Sequence, residues 1–163
     1  MNRIRRHFAG YLERGPWSFC WRIGLESTVV SLVIATVLVW LLGTSEREFM
    51  KFSIGKVFVL LLLIAPPLET LVFQALPIFI VRWRKGSLRT QVLVSTLIFA
   101  AVHFPEGIAV GVSAGIIGGF YFAFAYAHWR RHSRWRAFWV TALVHAIHNG
   151  IAFILLIAFG NWA

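Results

Sequence analysis

Residues 54–81 read IGKVFVLLLLIAPPLETLVFQALPIFIV, and only Lys56 and Glu69 among them are charged. A helix of about 20 apolar residues crosses the hydrocarbon core of a bilayer, so this stretch is long enough to span a membrane. A charged side chain in the middle of such a helix costs about 2.5–3.5 kcal/mol on insertion scales, which makes it a candidate for function. The stretch therefore predicts a membrane span that carries a functional glutamate.

The composition of the whole chain agrees with this prediction. Hydrophobic residues make up 59% of the 163 residues and charged residues 13%, with a mean hydropathy of +0.75, which is outside the range of a soluble domain. We therefore predict an all-α, polytopic integral membrane protein, a helical bundle of about five transmembrane helices. The predicted spans are Leu25–Gly43, Ile54–Val81, Thr90–Phe104, Ile108–Ala127 and Phe138–Phe159.

Residues 1–24 precede the first span and mix arginine with aromatic residues. This mixture is typical of a segment that lies at the level of the lipid headgroups, and Gly15-Pro16 divides it into two pieces. We predict an amphipathic interfacial segment over residues 1–24, followed by a single transmembrane domain over residues 25–163. The alternative is a cleavable signal peptide, which the long apolar run and the lack of a small-residue cleavage site disfavour.

The basic residues behind the net charge of +10 lie mostly in the N-terminal segment and in short clusters between the apolar spans. Clusters in residues 82–89 and 130–136 alternate with the charge-balanced segment 45–56 and with the turn 104–107, which has no Lys or Arg. This distribution fits cytoplasmic loops beside anionic lipid, and it leaves no basic domain for nucleic acid. We expect an integral protein of the bacterial inner (plasma) membrane, with its N-terminus in the cytoplasm and its C-terminus outside.

Four polar residues lie inside three of the spans, namely Glu69, His103, His145 and Asn149. At 1.5 Å per residue they lie about 11–20 Å from the predicted cytoplasmic ends of their helices, at similar depths. A single intramembrane His or Asn is more often a hydrogen-bonded packing residue than a catalyst. Four such residues at one depth favour a shared site instead, and His148 flanks the helix face that carries His145 and Asn149.

Three short motifs contain these residues: PLETLVFQ at 67–74, FAAVH at 99–103 and HAIHN at 145–149. Their order and separation resemble the motifs of the CPBP family, the CAAX-protease and bacteriocin-processing intramembrane endopeptidases. The resemblance covers about residues 58–159. It implies hydrolysis of a peptide bond in a membrane-anchored protein or peptide, with that substrate and the lipid bilayer as partners.

The resemblance also assigns roles to individual residues. Glu69 matches the general base that activates water, and His103 would help to hold and polarise that water. His145 and Asn149 would stabilise the oxyanion, and this glutamate mechanism needs no metal. The supporting positions of the motifs are Thr70, Phe73, Gln74, Phe99 and His148.

The first motif departs from the family pattern at two positions. Thr70 stands where the family usually has a second glutamate, and Gln74 stands where it has arginine. Because both an acid and a base are replaced, we expect Thr70 and Gln74 to form a neutral hydrogen bond at i,i+4 in place of an ion pair.

Three alternatives to an active glutamate protease remain open at this stage. An inactive relative could serve as a bacteriocin-immunity or membrane interaction protein. A Zn²⁺ enzyme would use Glu69, His103 and His145 as ligands around an open position. A redox or metal carrier based on His103, His145 and His148 would leave Glu69 and Asn149 without a role.

Overall fold

The computed structural model describes residues 3–43 and 52–159, and these residues form helices and turns without a strand. Five of the helices are long and apolar enough to cross a membrane, so the predicted all-α polytopic bundle is confirmed. Most of the segment 45–56 and the C-terminal Ala163, which entered the orientation prediction, lie outside the described residues. The helices are α1 (Arg3–Leu12), α2 (Pro16–Leu42), α3 (Ile54–Trp83), α4 (Leu88–His103, followed by a 3₁₀ turn at Phe104–Glu106), α5 (Ile108–Trp129) and α6 (Arg134–Phe159).

Several of these helices extend beyond the predicted spans at the end that carries the basic clusters. Helix α2 begins at Pro16 rather than Leu25, because Gly15 and Pro16 form a favourable helix start. Helix α6 begins at Arg134 rather than Phe138. Arg and Trp at these ends lower the mean hydropathy of the sequence without interrupting the helix. A prediction based on hydropathy therefore identifies the span but places the start of the helix too late. Residues 16–24 thus form one continuous helix with the first span.

The two ends of the bundle differ in charge. We call the end with residues 82–89 and 130–136 the basic end and the opposite end, with Leu42 and the turn Phe104–Glu106, the distal end. Exposed tryptophans lie near both ends of α2, at Trp21 and at Trp40. At 1.5 Å per residue they are about 28 Å apart, close to the hydrocarbon thickness of ~30 Å. Tryptophan is enriched at membrane interfaces, so these two levels mark the expected borders of the bilayer.

Helix α3 stays helical through its prolines by means of two π-helical segments. These segments are Val59–Ile64 and Thr70–Ala75, and a proline, Pro66 or Pro77, follows each of them by two residues. Proline has no N–H and its ring crowds the preceding turn, so a wider turn accommodates it. The sequence predicted a bend or a broken first turn at Pro66-Pro67, whereas the structure widens the helix. Glu69 lies at the end of the short α-helical piece between the two π segments.

Helix α5 is the most buried span and lies against α2, α4 and α6. Its π-helical segment Gly111–Gly118 approaches α4 closely. A Cβ atom on Gly115 would be 2.9 Å from the Cα atom of Ala100, so only glycine allows this distance between the backbones.

Helix α1 folds back on α2 and α5 around the carboxylate of Glu26. Tyr121 donates a 2.7 Å hydrogen bond to Glu26, His7 Nε2 lies 2.8 Å from the same carboxylate, and Tyr11 also bonds to it. Burial and the neighbouring carboxylate raise the pKa of Tyr11 to about 12, so its hydroxyl keeps its proton and acts as the donor. Phe8 packs against Phe120, Tyr121 and Phe124 of α5. The N-terminal segment is therefore fixed to the bundle by both polar and aromatic contacts.

Candidate active site

A cavity of about 140 Å³ lies between α3, α4, α5 and α6, and all four intramembrane polar residues line it. Its wall also contains His148 and Phe99 from the motifs, and Glu106 from the turn after α4. The structure thus brings together the side chains that the sequence placed at a common depth. The four polar residues are Glu69, His103, His145 and Asn149.

The carboxylate of Glu69 faces the imidazole of His145 across this cavity. The distance from Glu69 Oε2 to His145 Nε2 is 3.7 Å, and the side chains are 27% and 4% exposed, respectively. This distance is longer than a hydrogen bond, but both groups border the same small cavity. The Nδ1 atom of His145 has no hydrogen-bond partner among the described residues. The ring nitrogen of His145 that faces Glu69 is therefore Nε2.

The proton position on His103 follows from its hydrogen bond. His103 Nδ1 lies 2.8 Å from the backbone oxygen of Phe99, one turn earlier in α4. A carbonyl oxygen can only accept, so Nδ1 carries the proton and donates it. In the neutral ring Nε2 is then a proton acceptor, which is the form that can receive a hydrogen bond from water.

Asn149 is held by a contact to the neighbouring span. Its Nδ2 atom donates a 2.9 Å hydrogen bond to the backbone oxygen of Leu61. Leu61 lies in the first π-helical segment of α3, where the widened turn changes the pattern of backbone hydrogen bonds. The carboxamide has two N–H groups, so this contact orients it and leaves a second donor.

Helix α2 supports the site through His148, although it lies far from the three motifs in sequence. The hydroxyl of Ser27 donates to the backbone oxygen of Gly24 at 2.9 Å and lies 3.0 Å from His148 Nδ1. Because the Ser27 proton is used for Gly24, His148 Nδ1 is the donor of the second bond. Thr28 also contacts the backbone oxygen of His148. No motif drew attention to Ser27, since serine in a span is ordinarily a packing residue.

Aromatic rings fix the orientation of His145 and His103. The ring of His145 stacks on Phe122 with centroids 4.1 Å apart, and the ring of His103 lies 4.3 Å from that of Phe99. Phe73 packs edge-to-face on Phe99, so the aromatic residues of the first two motifs are neighbours. The sequence did not identify Phe122, because phenylalanine is common throughout this chain.

The predicted hydrogen bond between Thr70 and Gln74 is wrong. Both side chains are fully buried, and neither the Thr70 hydroxyl nor the Gln74 amide has a hydrogen-bond partner among the described residues. Both residues belong to the π-helical segment Thr70–Ala75. The i,i+4 argument assumed α-helical geometry, but in a π-helix residues four apart no longer lie in the α-helical alignment.

Glu106 is a second carboxylate in the cavity wall. It is exposed in the turn after α4, and it lines the cavity together with Glu69. Its spacing of three residues from His103 is the signal that could have placed it near the site, since a 3₁₀ turn puts i and i+3 on one side.

No group of three or more His, Cys, Asp or Glu side chains with a geometry that could hold a metal ion occurs within residues 3–43 and 52–159. The ligand set Glu69, His103 and His145 considered for Zn²⁺ therefore does not form such a group in this structure. One ring nitrogen of His103 is already used by the Phe99 carbonyl.

A larger and mainly apolar chamber of about 660 Å³ adjoins the polar cavity that Glu69 lines. Its walls come from the second half of α2, from α5 and from the second half of α6. The two spaces share four lining residues, Leu61, Ala114, His148 and Asn149. A group in the chamber is therefore directly beside the polar site.

A bundle of five spans with a carboxylate, imidazoles and a carboxamide around one small cavity defines a polytopic membrane protein with a candidate hydrolytic site. The family model described as type II CAAX prenyl endopeptidase Rce1-like matches residues 51–151, and the chain belongs to this family of CAAX proteases. The resemblance seen in the three motifs is thus confirmed, and the match contains Glu69, His103, His145 and Asn149. No curated protein and no solved structure matched the chain.

Proposed function

We propose that the chain is an active glutamate-type intramembrane endopeptidase that hydrolyses a peptide bond in a membrane-associated protein or peptide. Its membership of a protease family supports hydrolysis of peptides in general. The observation that carries the proposal is the 3.7 Å approach of Glu69 and His145 in a cavity that His103 and Asn149 also line. Each of these groups has a distinct part in the reaction.

Glu69 acts as the general base. It takes one proton from a water molecule while the water oxygen attacks the carbonyl carbon of the scissile bond. A positioned base contributes about 10²–10⁴ to the rate. The unprotonated Nε2 of His103 accepts the second hydrogen of the same water as a hydrogen bond and so orients its oxygen.

His145 and Asn149 stabilise the negative oxygen of the tetrahedral intermediate. The donors are His145 Nε2–H and the Asn149 N–H that is not bonded to Leu61. When the intermediate collapses, the C–N bond breaks and Glu69 gives its proton to the leaving nitrogen. The products are a carboxylic acid and an amine, and the site returns to its starting state without a metal.

The apolar chamber suits the membrane anchor of such a substrate. The family model is described as a type II CAAX prenyl endopeptidase, and a prenyl or other lipid chain is apolar, as is most of the chamber wall. We therefore propose that the anchor occupies the chamber while the scissile bond lies beside Glu69. The protein would carry out this reaction in the bacterial inner membrane, with its N-terminus in the cytoplasm.

The test is cleavage of co-expressed or reconstituted membrane-anchored peptides by the purified protein. Glu69→Gln keeps the size of the side chain but cannot accept the proton, so cleavage should fall at least 10²-fold. Glu13→Gln, a carboxylate between α1 and α2 and away from the cavity, is the matched control and should keep full activity. Full activity in Glu69→Gln would contradict the assignment, and a wild-type protein that cuts no candidate would point to an inactive relative.

A metal requirement is tested with the same assay. Strong chelators should leave the rate unchanged, and the pure protein should not carry stoichiometric metal. Activity that is lost on chelation and restored by Zn²⁺ would make the histidines ligands and would overturn the roles given above.

A further inference from the structure

We infer that water and the substrate peptide reach the catalytic cavity from the distal end of the bundle, past Glu106, and not from the basic end. This inference rests on the proposed function for the identity of the substrate, but the access route itself can be tested without any cleavage. Three features of the packing support it.

The first feature is a closed layer on the basic side of the Glu69–His145 pair. Thr70 and Gln74 of α3, Phe99 of α4, Phe122 of α5 and Thr141 of α6 are each at most 1% exposed. Closer to the basic end, further side chains are buried to a similar degree; they are Phe19, Ile23, Ile78, Ala125 and Ala137. Protein interiors packed in this way leave no passage for water or a peptide.

The second feature is the loose packing on the distal side. The buried residues of α2 end at Ser31, although the helix continues to Leu42. Beyond Ser31, the residues of α2 line the apolar chamber as far as Val39, and those of α6 line it as far as Leu156. The described part of the bundle is therefore tightly packed toward the basic end and contains a large cavity toward the distal end.

The third feature is the location of Glu106. It belongs to the turn that connects α4 and α5 at the distal end, it is exposed, and it lines the same cavity as Glu69. A residue that is both exposed at the distal end and part of the cavity wall marks a route between the two. Gly107 follows with φ 111°, a conformation that favours glycine and allows the chain to reverse there.

Because the two spaces meet at Ala114, His148 and Asn149, one molecule can occupy both. We assign the apolar chamber to the lipid anchor and the polar cavity to the extended backbone beside the scissile bond. Such a substrate is anchored in the leaflet at the distal end. With the orientation predicted from the basic loops, that leaflet is the outer one.

The experiment uses single cysteines in the full-length protein, with the native Cys20 changed to serine. Ala65→Cys and Ala114→Cys place a thiol in the cavity wall, and both replace a small residue by another small one. Glu106→Cys marks the distal face and Arg84→Cys the basic face. A cationic, membrane-impermeant methanethiosulfonate is added to one face of oriented vesicles at a time, and labelling is read by mass. The cationic reagent suits a cavity with two carboxylates.

We expect Ala65→Cys and Ala114→Cys to be labelled only from the face that labels Glu106→Cys. Ala137→Cys, buried on the basic side, is the matched control and should be protected from both faces. Labelling of the two cavity cysteines from the Arg84→Cys face, from both faces or from neither would overturn the inference. A protein that labels as expected but cuts no substrate would instead contradict the proposed function alone.

Discussion

The imidazole ring of His145 is held in one orientation inside the cavity. Its ring stacks on Phe122, and its Nε2 faces Glu69. His103 is fixed differently, because its Nδ1 donates to the Phe99 carbonyl and its Nε2 is left as an acceptor. In the proposed roles, the two histidines present the same atom, Nε2, in different protonation states. The Nε2 of His145 carries a proton and donates to the oxyanion, and the Nε2 of His103 has none and accepts from water.

A mutation of Asn149 tests this division of roles. Asn149→Ala removes one of two proposed oxyanion donors, so the cleavage rate should fall by about 10²–10³ but remain measurable. Glu69→Gln removes the base and should leave less activity than Asn149→Ala. The comparison requires single-turnover rates of both purified variants on one substrate. Equal rates in the two variants would argue against separate roles.

Thr70 and Gln74, which are buried and have no side-chain hydrogen-bond partner within residues 3–43 and 52–159, lead to a second prediction. Thr70→Glu places an unpaired carboxylate at a fully buried position and should destabilise the protein by several kcal/mol. Adding Gln74→Arg should restore part of this loss, because it supplies the opposite charge that the family pattern has. Thermal unfolding in detergent of the two single variants and the double variant forms a mutant cycle. Additive losses would mean that the two positions do not interact.

At the level of the helices, α2 contacts the candidate site although it lies outside the residues that match the family model. It supplies Ser27 to His148 and forms one wall of the apolar chamber. It also carries Glu26, which attaches α1 to the bundle. A fragment restricted to the matched residues would lack all three contributions.

Ser27→Ala tests the connection between α2 and the site. Loss of the acceptor for His148 Nδ1 should lower kcat about three- to tenfold, as expected for one buried hydrogen bond of ~1 kcal/mol, with little change in KM. Ser27→Thr keeps the hydroxyl and should retain most of the rate.

Ser31→Ala is the matched control, because Ser31 lies one turn further along α2 and bonds to the Ser113 carbonyl instead of to a histidine. Because Ser31 also lines the apolar chamber, this variant should affect stability and KM but leave kcat unchanged. If both serine variants lose kcat to the same degree, the effect belongs to helix packing and not to His148.

For the whole molecule, the basic clusters at one end predict how the bundle lies in the membrane. Reporters fused after Lys85 and Arg134 should report the cytoplasm, and reporters fused after Glu48 and Ala163 the opposite side. Five spans require the termini to be on different sides. A pattern in which both termini share a side would contradict the number of spans and the depth at which the polar residues meet.

The sequence predicted the fold class and the meeting of Glu69, His103, His145 and Asn149, because span length and depth depend only on the rise of a helix. It could not predict the contacts that depend on rotation about a helix axis. The Thr70–Gln74 bond failed because α3 is π-helical there, and Ser27 and Phe122 were missed because serine and phenylalanine in a span have no distinguishing pattern. The tautomer of His103 required the position of a backbone carbonyl.

The two widened turns of α3 make that helix tolerant of a change of one residue in its length. A π-helical turn is what remains when one residue is inserted into an α-helix, and the segment Val59–Ile64 precedes Glu69. Because the wider turn absorbs the inserted residue, removing one residue from that segment would restore a regular α-helix and leave Glu69 facing nearly the same direction as before. A deletion within the α-helical piece Ala65–Glu69 would instead turn the carboxylate by about 100° relative to the part of the chain before it. A gap of one position in the run of leucines is therefore compatible with an unchanged site, whereas a gap beside Glu69 is not.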